Sequence, residues 1–132
     1  MRGMREALTA FLLALLSIAV GGQSPPGESA AEYPTFFKAI KDGDIESARR
    51  FLAVGLPPGV KDEDGNPALI VAIFYGRVDI ARELIAAKAD VNASDKRGNT
   101  ALAHAAYLGN IEACRLLLSN GASVSAANIY GE

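Results

Sequence analysis

The chain has 132 residues, half of them hydrophobic, which is room for one modest core and not for two. Lys and Arg number 13 against 15 Asp and Glu, so no field of one sign is available to attract a polyanion, and nucleic acid is not an expected partner. The lone cysteine, Cys114, excludes an intrachain disulfide, and stability must come from packing.

Residues 1–22 differ in kind from the rest. Arg2 and Arg5 give a positive start, Ala7 to Val20 (ALTAFLLALLSIAV) is an apolar run of 14 residues, and Gly21 and Gly22 close it with small residues, the pattern of a secretory signal peptide. A membrane anchor is the competing reading, but those 14 apolar residues make about 21 Å of helix, short of a hydrocarbon core of about 30 Å. No stable membrane anchor is expected after cleavage near Gly22. Residues 23–32 (QSPPGESAAE) hold Pro25, Pro26 and Gly27, which neither build a helix nor favour burial, and they read as a flexible tether. The folded domain is expected over 33–132.

Sliding that domain along itself gives one strong offset, 33 residues. Twelve identities join 62–94 to 95–127, among them Asp62 with Asp95, Gly65 with Gly98, Leu69 with Leu102, Ala72 with Ala105, Gly76 with Gly109 and Leu84 with Leu117. Roughly two or three would arise by chance. The same offset reaches back over 29–61 through Pro34, Ala39, Ile40, Gly43, Ala48, Arg49 and Ala53. Three full units result, and residues 128–132 open a fourth, with Gly131 falling 33 residues after Gly98.

Within each unit, Gly43, Gly76 or Gly109 separates two apolar-periodic stretches, which predicts a helix, a tight turn and a second helix. The first helices are expected near 35–42, 68–75 and 101–108, the second near 45–53, 78–87 and 111–119. Ala39, Ala72, Ala105 and Ala106 let paired helices approach, while Phe51, Leu52, Leu84, Ile85, Leu117 and Leu118 fill the space between units. One hairpin cannot bury that surface alone; stacking neighbours can.

The second unit, DEDGNPALIVAIFYGRVDIARELIAAKADVNA, and the third, DKRGNTALAHAAYLGNIEACRLLLSNGASVSA, resemble the ankyrin repeat, in register over three copies. The resemblance implies an all-α solenoid of helix-turn-helix units joined by hairpin loops, three full repeats plus the start of a fourth. Departures from the pattern are local. Pro67 stands where a threonine is usual, so the hydroxyl cap of the first helix survives only at Thr100 in the last two units; Pro67 is expected to start its helix in the first turn. Lys88 replaces the glycine seen at Gly55 and Gly121, where a left-handed backbone is expected, at a cost of about 1 kcal/mol. The second unit is therefore expected to be the less stable of the two. The histidine of the usual Thr-Pro-Leu-His is replaced by Ile70 and Ala103.

Candidates for chemistry are few. His104 is the only histidine; no acid or nucleophile is positioned beside it in the sequence, and it reads as a tolerated helix residue. Cys114 shares the small position of Ala48 and Ala81 and reads as a buried, inert thiol. The run from Asp62 to Asn66 fails as a calcium loop, because aligning Gly65 with the loop's glycine puts Val60 first and Val71 last. No enzyme, metal site or cofactor is expected.

What remains is a surface. The resemblance implies docking on the hairpin tips and the exposed side of the first helices, a concave strip that falls here on Glu63, Asp64, Asn66, Phe74 and Tyr75, then Lys96, Arg97, Asn99, Tyr107 and Leu108. Apolar pairs flanked by an acidic and a basic tip make an anchor with a polar rim. The expected role is an exported module, periplasmic or secreted, that binds a protein partner without catalysis. The alternatives are an assembly element that self-associates through the C-terminal repeat, and a fragment of a longer ankyrin protein.

Overall fold

A computed structural model describes residues 33–125; the expected signal peptide, the tether and the opening of a fourth unit lie outside the described residues. Six helices follow in three hairpins: α1 (Tyr33–Asp42) with α2 (Ile45–Ala53), α3 (Ala68–Phe74) with α4 (Val78–Ala86), and α5 (Ala101–Tyr107) with α6 (Ile111–Ser119). Among the described residues there is no strand longer than an isolated bridge, and no helix long and apolar enough to cross a membrane.

The local causes are legible. Asp44 caps α2, its carboxylate accepting from the Ser47 N–H at 3.1 Å and the Ser47 hydroxyl at 2.6 Å. These bonds hold its carboxyl below the ordinary value. Asn110 caps α6 through Ala113 N–H at 3.1 Å, and Thr100 caps α5 through Ala103 N–H at 3.3 Å. Neither α3 nor α4 has a side-chain cap. Pro67 does not enter the first turn of α3 as expected. It is the capping residue itself, in extended backbone (φ −57°, ψ 146°), because it pairs with Lys61 across the base of the hairpin tip. Lys88 does take the left-handed conformation, at φ 74°, between Gly55 at 99° and Gly121 at 88°.

The helices form two rows. The row α1, α3, α5 is more closely packed than the row α2, α4, α6, and in the last two repeats its members have 7 residues against 9. The first helices and the hairpin tips share one side of the stack, the inner side that the ankyrin resemblance implies. One core runs through the stack: Phe36 and Ile40, then Leu69, Ile73, Ile80 and Leu84, then Leu117 are fully buried or nearly so. Phe36 meets Phe51 edge to face at 5.6 Å within the first repeat.

Burial fails at three expected places, all on the far face of the third repeat. Ala106 is exposed although Ile40 and Ile73, its counterparts, are fully buried. Leu118 is half exposed, and Cys114 is only partly buried where Ala48 and Ala81 are sealed. Among the described residues no helix of a following repeat is present to cover them.

Candidate functional site

The inner side presents four large apolar side chains to solvent: Phe74 is 57% exposed, Tyr75 44%, Tyr107 90% and Leu108 45%. They stand in corresponding places, at the C-terminal ends of α3 and α5, directly before the left-handed turn glycines Gly76 and Gly109. Phe74 and Tyr75 touch edge to face at 5.5 Å, and Lys41 of α1 lies over the Tyr75 ring at 5.9 Å. Exposed aromatic rings held by their neighbours lose little freedom on binding, which favours their use as anchors.

The hairpin tips rise beside them. In the first tip Asp62 accepts the backbone N–H of Asp64 at 3.0 Å and of Asn66 at 2.8 Å, and the Asn66 amide donates to the same carboxylate at 3.2 Å. The Asn66 side chain thus serves the turn, while Glu63 and Asp64 project outward. In the next tip Asp95 accepts the backbone N–H groups of Arg97 and Asn99, each at 2.9 Å, leaving Lys96 and Arg97 exposed. The two tips are close neighbours: a Cβ added to Gly65, itself at φ 82°, would come within 2.5 Å of Lys96 Cε. Glycine at 65 serves the turn through its left-handed backbone, and the Lys96 stem lies over it.

His104 departs from its sequence reading. An acid is within reach after all: Nε2 lies 3.0 Å from Asp95 Oδ2, with both side chains largely buried. The nine-residue separation hid the pair, since only the fold of the tip back onto α5 brings them together. Burial tends to raise the Asp95 carboxyl, but hydrogen bonds from His104, Asn99 and Arg97 outweigh it and hold the group below its ordinary value. The pair ties tip to helix. His104 also meets the edge of Phe74 at 6.4 Å, joining the second and third repeats along the strip.

Between these parts lies a groove of about 260 Å³ lined by Lys41, Asp62, Asp64, Asn66, Ile70, Val71, Phe74, Tyr75 and His104. A neighbouring groove of about 390 Å³ continues it along the first repeat past Phe37, Lys61 and Glu63. The sequence puts Asp64, Asn66, Phe74 and Tyr75 here and does not reveal Lys41, Asp62, Ile70, Val71 and His104. Lys41 was missed because the first repeat was left out of the strip, although it is Phe74's counterpart one repeat back. Tyr107, Leu108 and Arg97 lie on the same side but do not line either groove. Among the described residues no group of three or more His, Cys, Asp or Glu side chains is placed to hold a metal ion.

The three stacked hairpins define a helical-repeat solenoid. The family model for ankyrin repeats (3 copies) matches residues 36–128, and the chain belongs to that family. Ankyrin repeats are protein-interaction modules rather than catalysts. No curated protein shows significant similarity to the chain.

Proposed function

We propose that this protein is an exported ankyrin module that binds a protein partner through the strip running from the Asp62 tip to Tyr107. One observation carries the reading: four large apolar side chains, at corresponding places in the second and third repeats, are exposed in repeats whose tips are acidic and basic in turn. A partner segment that fits would place an apolar side chain against Phe74 and Tyr75, with polar groups meeting Glu63 and Asp64 on one side and Lys96 and Arg97 on the other. Export rests on Arg2, Arg5 and the apolar run to Val20, which supports a periplasmic or secreted location.

The test is crosslinked recovery of partners from the exported fraction, comparing the natural chain with Tyr75→Ala/Tyr107→Ala. Loss of an aromatic anchor typically weakens binding about tenfold or more, so the recovered partner should fall sharply while circular dichroism stays native. Undiminished recovery by a folded double variant would move the binding face elsewhere.

A further inference from the structure

We propose that the partner segment is basic: an arginine side chain enters the groove beside Phe74 and sets its guanidinium on the Asp64 carboxylate, which rests on the strip being the docking face. The polar atoms around the groove that are already engaged leave a particular set free. Asp62 is held by the turn, accepting from the backbone N–H groups of Asp64 and Asn66 and from the Asn66 amide. Because the Asn66 amide nitrogen faces that carboxylate, its oxygen is turned away and left to accept. The Asp64 carboxylate is exposed at the tip and has no hydrogen-bond or ion-pair partner among the described residues.

His104 adds a third acceptor. Asp95, whose carboxyl is held below its ordinary value although burial opposes this, can only accept, so the 3.0 Å contact needs the proton on His104 Nε2. In the neutral ring Nδ1 is then an acceptor, and it too has no partner among the described residues. No side-chain nitrogen or oxygen of a partly buried residue there is both sealed and unbonded, so Nδ1 is open to solvent where the ring lines the groove. Against these acceptors the lining sets one fixed cation, Lys41, which lies over the Tyr75 ring. Phe74 beside it is 57% exposed, and Ile70 and Val71 complete an apolar wall. Arginine meets each of these features. Its fork of N–H donors pairs with a carboxylate and reaches further acceptors, its plane stacks on an aromatic ring, and its stem lies along apolar surface. An acidic side chain would face Asp64 and unpaired acceptors.

The test is an NMR titration of the isotope-labelled chain, as recovered from the expressing cell, at about pH 8, where an ordinary imidazole is neutral. The probes are short capped peptides in which leucines flank a central arginine, citrulline or glutamate. The arginine peptide should shift the resonances of Asp64, Asn66, Phe74 and His104, the last unambiguous in a chain with one histidine. Citrulline keeps the shape without the charge and should bind about tenfold more weakly, with glutamate weaker still. Asp64→Asn, at an exposed position, should weaken the arginine peptide about tenfold and leave the citrulline peptide nearly unchanged. Lys41→Ala removes the competing cation and should strengthen the arginine peptide. The same spectra show that each variant is folded. Equal binding of the three peptides, preference for glutamate, an arginine peptide indifferent to Asp64→Asn or weakened by Lys41→Ala, or no shift on the strip with any peptide would each overturn the proposal. Docking on the strip is judged apart from this: partner recovery that needs Tyr75 and Tyr107 but not Asp64 would leave that reading standing and remove the basic segment.

Discussion

The second and third repeats are built on the same 33-residue pattern, yet they obey different physics. By local sequence the second is the poorer: α3 and α4 lack side-chain caps, and Lys88 occupies a left-handed position. The third has caps from Thr100 and Asn110, and Gly121 at the corresponding turn. By burial the order reverses. All of α3 from Ala68 to Ile73 is buried, whereas α5 buries only Ala101 and Ala105. Capping and turn effects amount to about 1 kcal/mol each, and a sealed aliphatic side chain to about 2–5. Neighbours should therefore outweigh local propensity, and the middle of the stack should be its most stable part.

Substitutions at matched positions sharpen that contrast. The largest effect is expected at the seam. Ile73→Ala should cost about 2–5 kcal/mol in denaturant unfolding, because Ile73 is fully buried between hairpins. Next comes the tip of the third repeat. Asp95→Ala removes three acceptor contacts and should cost about 2 kcal/mol near neutral pH. Because folding lowers the Asp95 carboxyl, its contribution is present above the ordinary carboxylate value and is lost as pH falls through the lower, folded value. The gap between the natural chain and Asp95→Ala should accordingly narrow in acid; a gap that widened there would contradict the assigned hydrogen bonds.

Smaller effects test the local terms. Thr100→Ala removes the cap on α5 and should cost about 1 kcal/mol. Lys88→Gly relieves a side chain at φ 74° and should add up to about 1 kcal/mol, seen as a higher melting temperature. A clear fall on Lys88→Gly would mean that the lysine stem contributes packing that outweighs its backbone cost. Smallest of all, Ala106→Ile should shift stability by no more than about 0.5 kcal/mol in dilute solution, because this counterpart of Ile73 faces solvent.

How far the sequence reveals this structure follows from what each feature depends on. The period of 33, the turn glycines and the left-handed site at Lys88 depend on neighbours in the chain, and they are readable there. So are the ring positions at 74, 75 and 107, because repeat register carries each onto the inner side. The Asp95 to His104 pair is not readable, since it forms only when the tip closes onto α5. Nor is the fate of Ala106, Cys114 and Leu118: pattern alone assigns them a buried role, and burial depends on a hairpin that the described residues do not supply. Repeat pattern tells which side a residue faces; only the stack tells whether anything is there.

Native-state hydrogen exchange read by mass spectrometry tests the central claim most directly, because it ranks the helices within one molecule. If burial by neighbours governs stability, the amides of α3 and α4 exchange most slowly, and those of α5 and α6 open first despite their better caps. Slowest exchange in α5 and α6 would contradict the account and return the decision to caps and turns.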